Sequence, residues 1–437
     1  MNGEEKSDPA GSAGRSHRFR RQPGRTIQVT PANERMTEIH LTTERLQTEV
    51  ELLLCIARTR VDAWRVDRIK ALLEAGLDWD KLISLVRANR MGPLIYTHLQ
   101  ALCPELVSTD ILDLLHEHYR LNAMRNLFLT QALFRLMDLF QTNNISAIPF
   151  KGPVLAISLY GNLNLRQFDD LDILIHKRDL LRIKDLLISQ GFRLLSPWPS
   201  KKDAIFLQCE HSFIHEPAGV LVDLHWAIEP LQYSFAPAPE AIWQRIEPVS
   251  LEGREIMTLS PRDLLICLCI HGARHGWERL DMICDLAEFL YADQEMDWVE
   301  IMRQSPNHGC ERMISLGFFL ANHVLGANLP EGAEQALEAN KAVNSLAGDV
   351  CRRLFWRPNA GDGIFEGRYF YVRTMDRLMD KITHYYRQLV TPTSLEWTLV
   401  PLPSSLFFLY YFLRPLRLAA KYIVEPLRRI AHANQQS

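Results

Sequence analysis

No Cys-x-x-Cys pair occurs in this chain, although it has eight cysteines. That absence argues against a zinc ribbon or a thioredoxin-like redox motif. An excess of positive charge is also missing. There are 49 Lys and Arg against 52 Asp and Glu, a net charge of −3, so no global field draws the chain to nucleic acid or to a membrane. A secretory signal and an internal repeat are both absent from the pattern. The simplest expected placement is a reducing cytoplasm with free thiols.

What is present suits a globular protein. Hydrophobic residues make up 47% and charged residues 23% of 437 positions, enough for two or three domains with at least one sizeable core. Residues 1–36 are expected to form a disordered tail, locally basic through Arg15, Arg18, Arg20, Arg21 and Arg25 and poor in large apolar residues. Met36 is an alternative start, since the globular pattern begins just after it. Residues 37–144 read as a helical domain. Gly76 is a stop signal, Asp78 a cap, and Ser108-Thr109-Asp110 opens a long helix over about 109–141. The texture changes at 145. A short apolar strand ends near Pro149, Lys151-Gly152-Pro153 turns into a helix over 154–160, and Gly161–Asp169 forms a polar loop. A strand over 171–175, a helix over 177–190 stopped by Gly191, and strands over 204–215 and 220–228 follow. This order predicts an α+β core over 145–238 around one mixed sheet. Helices are expected again over 239–395, where Ser260-Pro261-Arg262-Asp263 is a strong start signal. An apolar and basic segment closes the chain over 396–437.

The chemistry concentrates in Phe168-Asp169-Asp170-Leu171-Asp172-Ile173-Leu174-Ile175. In a strand, residues i and i+2 share a face, which puts Asp170 and Asp172 on one side with Cα atoms roughly 6.5–7 Å apart. Two such carboxylates repel unless something positive sits between them. Hard divalent cations take oxygen ligands, and Mg²⁺ ordinarily combines one or two carboxylates with substrate phosphate. A third acid lies in Val220-Leu221-Val222-Asp223-Leu224-His225-Trp226. There Asp223 and His225 share the face opposite Val222, Leu224 and Trp226. An acid inside an apolar strand is costly unless it is paired or bound to metal. If the two strands are neighbours, Asp170, Asp172 and Asp223 converge on a patch able to hold two metals for in-line displacement at phosphorus. Without metal, their mutual repulsion predicts that Asp172→Asn leaves the fold unchanged or slightly more stable.

Phe150-Lys151-Gly152-Pro153, Leu159-Tyr160-Gly161, Arg166, Asp170-Leu171-Asp172, Gly191-Phe192 and Val222-Asp223-Leu224-His225-Trp226 together resemble the uncharacterised nucleotidyltransferase family. That family belongs to the DNA polymerase β-like nucleotidyltransferase superfamily. The likeness extends to Gly76-Leu77-Asp78-Trp79 and to His271-Gly272-Ala273-Arg274-His275 with Asp285. It implies that 145–238 is a catalytic core using two Mg²⁺ ions and an NTP. Asp170, Asp172 and Asp223 would be the metal-binding and catalytic carboxylates, and Lys151, Gly152 and Arg166 would contact the nucleotide. The superfamily carries a Gly-Ser or Gly-Gly pair where this chain has Lys151-Gly152. Gly152 permits close backbone approach ahead of a helix N-terminus, and Pro153 removes one N–H donor that Lys151 would replace by charge.

Several residues have two readings. Lys151 either binds phosphate, so that Lys151→Ala weakens NTP binding more than it harms the fold, or makes an ion pair with an aspartate. Arg166 either binds phosphate or braces the acidic cluster. His225 is expected beside the metal site rather than in it, and Tyr160 and Trp226 as packing residues. His271 and His275 share a helix face, but Gly272 stands where a zinc protease needs Glu; the face either abuts the site or binds acceptor or phosphate. Residues 397–413 are strongly apolar but short for a membrane span and interrupted by Pro401 and Pro403. With the basic residues up to 429, the segment 397–429 either docks on a membrane surface, which would place the protein at the membrane periphery, or packs on the protein or a partner. The functional expectation is transfer of a nucleoside monophosphate from an NTP to an unidentified acceptor, with RNA ends and other nucleic acid left open. The rivals are a non-catalytic nucleotide-binding scaffold and a metal-dependent phosphohydrolase using the His-rich helix.

Overall fold

The structure is a computed structural model that describes residues 47–195, 209–229, 238–292, 309–329, 337, 339–356 and 364–421. The expected tail over 1–36, the start of the expected strand over 204–215, and residues 422–437 lie outside the described residues.

The chain opens with helices α1 (Thr48–Ile56), α2 (Ala63–Glu74), α3 (Trp79–Ala88) and α4 (Gly92–Leu102). Their starts and stops follow local chemistry. The Asp78 side chain accepts the Lys81 N–H at 3.0 Å and caps α3. Gly76, with φ of +88°, lets the chain leave α2. The long helix α5 (Thr109–Thr142) has 34 residues, and its C-terminal half turns Leu129, Leu133, Leu136 and Phe140 into a buried cluster with the sheet.

Strand β1 (Ala147–Pro149) leads into α6, one α-turn over Pro153–Leu155 that widens into a π-turn over Ala156–Tyr160. The element expected as a regular helix over 154–160 is therefore irregular. β2 (Asp170–Ile175), α7 (Leu180–Ser189), β3 (Arg193–Leu194), β4 (Glu210–His215) and β5 (Val220–His225) complete the core. The sheet runs β1-β2-β5-β4-β3, with β2 and β5 parallel and the other pairs antiparallel. One face packs Leu171, Ile173, Val222 and Leu224 against α5 and α7. The other face, carrying the acids, looks toward the C-terminal helices.

After the short helix α8 (Pro239–Trp243) the chain departs from the expected helical region. Glu247–Leu251 (β6) and Arg254–Thr258 (β7) form an antiparallel hairpin. Glu252 and Gly253 turn it with φ of +49° and +79°, the positive values that match the twist of a two-residue hairpin. Leu251 and Ile256 join the sheet's apolar cluster, and the Thr258 hydroxyl donates to the Pro149 carbonyl at 2.7 Å. Helix α9 (Pro261–Arg274) then begins where the start signal predicted, with Ser260 accepting the Asp263 N–H. It is followed by α10 (Leu280–Ala292), α11 (Glu311–Leu325), α12 (Lys341–Cys351), α13 (Ile364–Thr374), α14 (Leu378–Val390), α15 (Ser394–Leu399) and α16 (Tyr410–Ala419). Helices α1–α4 and α9–α12 share one large apolar cluster that also takes Ile148 and Phe150. All eight cysteines are buried and none is in a disulfide.

Candidate active site

The parallel pairing of β2 and β5 sets Asp172 directly beside Asp223, with Asp170 one pleat away on the same face. The three carboxylates are not equivalent. Asp172 is buried and accepts hydrogen bonds at its Oδ1 from Lys151 Nζ (3.3 Å) and His225 Nε2 (3.1 Å). Burial opposes its charge, but the Lys151 ammonium and the His225 hydrogen bond hold its pKa well below the usual carboxylate range. Asp170 lacks such partners. Burial and the charges of Asp172 and Asp223 push its pKa up to about 6. Asp223 is also raised, by burial first and by Asp172, against a hydrogen bond from Ser212. Its Oδ1 is buried and has no hydrogen-bond partner.

Lys151 sits at the mouth of the β1–α6 turn. Burial disfavours its ammonium, but Asp172 outweighs that and leaves its pKa above the ordinary lysine value. Its Nζ is also 3.3 Å from His271 Nδ1. The next residue explains why this turn needs glycine. Gly152 has φ of +57°, and a Cβ there would lie 3.2 Å from the Asp170 carbonyl oxygen, so the turn is pressed against the first residue of β2.

Helices α9 and α10 form the opposite wall of a cavity of about 300 Å³ above these acids. Arg274 reaches from α9 to Glu210 (2.9 Å) and Glu229 (3.7 Å). Burial raises the Glu229 carboxyl to about 7, against the pull of Arg274. Burial also keeps His275 down, to about 4, and His271 well below its usual value, in each case with nearby cations adding to the effect; both imidazoles are neutral at pH 7. Gly272 between them has a packing reason, since a Cβ there would lie 2.5 Å from the buried Trp277 ring. Gly276, at φ of +65°, lets Trp277 fold back so that its N–H donates to the Gly272 carbonyl at 2.8 Å.

Two of the open readings narrow here. Arg166 gives both ends of its guanidinium to Asp285, at 2.8 Å each, and Tyr160 donates to the same carboxylate at 2.8 Å. Arg166 therefore braces α10 against the loop before β2, and the acid it holds is Asp285 rather than the Asp170–Asp172 pair, while it still lines the cavity. Lys151 pairs with Asp172, which reverses the expectation that Asp172→Asn spares the fold. Sequence reasoning passed over Glu210, Glu229, Arg90 and Arg279, all of which line the cavity. Only Glu210 had a local signal, since it falls within the strand expected over 204–215.

Comparison with protein families places residues 75–326 on the model for an uncharacterised nucleotidyltransferase. That stretch is more than half of the chain and contains every residue of the cavity named above. The chain belongs to this nucleotidyltransferase family. The family assignment supports nucleotidyl transfer in general as its role. A comparison with curated proteins finds no match. The α+β class expected from the order of elements is the class observed: a mixed five-stranded sheet framed by helices.

The nucleotidyltransferase reading implies divalent cations. Among the described residues, no three His, Cys, Asp or Glu side chains form a ready-made metal cage. Mg²⁺ does not require one, because it usually keeps waters and takes substrate phosphate as well as one or two carboxylates. The Asp223 Oδ1, buried without a hydrogen-bond partner, and the half-buried Asp170, repelled by its neighbours, are oxygen donors that a cation would satisfy. They fit the group.

Proposed function

We propose that the chain transfers a nucleoside monophosphate from an NTP to an acceptor hydroxyl or phosphate, releasing pyrophosphate, and depends on Mg²⁺. The observation that carries the reading is the in-register pairing of Asp172 with Asp223 across parallel strands, with Asp170 beside them, beneath a cavity lined by Lys151, Arg274 and Arg279. Asp170, Asp172 and Asp223 would hold two Mg²⁺ ions, which when bound would neutralise triphosphate charge. Gly152 lets the backbone approach the nucleotide closely, and Lys151 lies within reach of both the acids and an incoming phosphate. In the transfer, the acceptor oxygen bonds to the α-phosphorus as the bond from that phosphorus to pyrophosphate breaks. Asp223, whose carboxylate is destabilised by burial, takes the acceptor's proton. In-line positioning and charge neutralisation supply most of the rate.

The phosphohydrolase reading is weakened by Lys151. An ammonium 3.3 Å from His271 Nδ1 competes with a transition metal for that nitrogen. The deciding experiment incubates the protein with each α-labelled NTP, Mg²⁺ and host lysate, then identifies labelled products and free pyrophosphate. Transfer by the wild type and none by Asp170→Asn supports the reading. Mg²⁺-dependent NTP binding with no transfer to any acceptor would favour the scaffold reading.

A further inference from the structure

Lys151 and His225 both meet Asp172 at Oδ1, and Oδ2 is the oxygen they leave over. The His225 ring is itself held at both nitrogens. Its Nε2 lies 3.1 Å from Asp172 Oδ1, and its Nδ1 lies 3.3 Å from Glu210 Oε2. A ring with a carboxylate at each nitrogen cannot turn without giving up one of them. The Phe150 ring stands edge-on to it, with centroids 5.2 Å apart. Strand register makes the contact: Glu210 of β4 is the cross-strand neighbour of His225 in β5.

Glu210 is in turn fixed from the far wall of the cavity. Its Oε1 accepts from Arg274 Nη2 of α9 at 2.9 Å, so its two oxygens are divided between the guanidinium and the ring. Burial opposes the Glu210 charge, but Arg274 and His225 hold its pKa below the ordinary glutamate value. Arg274, Glu210, His225 and Asp172 therefore form one run from α9 through β4 and β5 to β2. The Arg274–Glu210 pair alone, with side chains 39% and 33% exposed, would contribute little to stability. Its consequence lies at the other end of the run, where His225 and Asp172 are both buried. A carboxylate that holds a cation is oriented by the groups hydrogen-bonded to it, and loss of such a group typically costs about 10–100-fold in metal affinity.

We propose that Glu210, steadied by Arg274, is a positioning residue of the metal site: it sets the His225 ring, the ring occupies Oδ1 of Asp172, and Oδ2 is left for the cation. The inference rests on the reading that Asp172 holds Mg²⁺, and it gives Glu210 no contact with the cation itself. The test titrates the full chain with Mn²⁺, a cation of the same oxygen preference, by electron paramagnetic resonance. The α,β-methylene analogues of ATP, GTP, CTP and UTP are present in turn. The proteins are wild type, Asp172→Asn, Glu210→Ala, Glu210→Gln, His225→Gln and the Glu210→Ala/His225→Gln double variant, each checked by chemical unfolding so that affinities refer to folded protein. Glu210→Ala should weaken Mn²⁺ binding about 10–100-fold. Glu210→Gln, whose amide oxygen can still face His225, should restore part of that. Once His225 is replaced, Glu210→Ala should add less than about twofold, because its effect passes through the ring. Unchanged Mn²⁺ affinity in Glu210→Ala, where Asp172→Asn abolishes binding, overturns this inference and leaves the metal reading standing. Losses that multiply in the double variant also overturn it, since Glu210 would then meet the cation or the nucleotide directly. Wild type that takes up no Mn²⁺ overturns the metal reading and this inference together.

Discussion

Replacing Asp170 and Asp172 by Asn, one at a time, should move stability in opposite directions. Asp170 is ionised at pH 7 at a cost. Its pKa stands at about 6 against an ordinary 3.8, so its charged form is disfavoured in the folded state by up to about 3 kcal/mol at ~1.4 kcal/mol per pKa unit. The native state binds the proton more tightly than the unfolded state, so stability falls as pH rises from about 4 to about 6 and the full cost is present above that. Asp170→Asn should therefore stabilise the metal-free protein by as much as ~3 kcal/mol at pH 7 and by almost nothing at pH 4. Asp172 is the reverse case. Its lowered pKa reflects the buried Lys151 and His225 contacts, whose stabilisation is present above the ordinary carboxylate pKa and lost only as pH falls through the depressed value. Asp172→Asn strands the Lys151 ammonium and should cost about 3–5 kcal/mol at pH 7. The assay is chemical unfolding without metal at pH 4 and 7, repeated with Mg²⁺ and an NTP analogue. Both variants should lose the Mg²⁺–NTP-dependent stabilisation. A destabilised Asp170→Asn protein at pH 7, or an effect that does not change with pH, would refute the electrostatic reasoning about this site.

Lys151→Ala should weaken nucleotide binding and also destabilise the apo protein, and a Lys151→Ala/Asp172→Asn double variant should lose clearly less than the sum of the two singles; additive losses in unfolding experiments would mean that the pair does not interact. Gly152→Ala should cost about 1–3 kcal/mol because of its positive φ and should reduce transfer further by displacing the turn from the Asp170 carbonyl; an unaffected melting curve would count against the close approach. Arg166→Ala should destabilise by about 3–5 kcal/mol by leaving Asp285 buried without its cation, with little change in NTP affinity measured on the folded fraction. Loss of affinity without loss of stability would return Arg166 to a phosphate-binding role.

Much of this architecture is written in short-range pattern. Period-two alternation in 170–175 and 220–226 was enough to put Asp170 with Asp172, and Asp223 with His225, on the polar side of their strands. Ser260, Asp78, Gly76 and Gly191 mark element ends because caps and left-handed turns are decided within a few residues. The spacing also exposed a run of apolar residues near the C-terminus. Contacts made across long stretches of chain had no such signal. Neither strand says that β2 and β5 are neighbours, yet that pairing alone brings Asp223 to Asp172. Arg166 meets Asp285 across 119 residues, and Lys151 meets His271 across 120. The sequence therefore left Arg166 and Lys151 with two roles each. The hairpin over 247–258 has strands of only five residues each, too short for their alternation to stand out, and burial of Leu251 and Ile256 against the sheet's apolar cluster holds it. The outward aim of the apolar stripe Leu378, Ile382, Tyr385 and Leu389 on α14 was equally out of reach. Helical spacing shows that one side is apolar, but only the buried Asp380 and His384 decide which side the protein keeps, because whether a face is inside depends on what else folds against it.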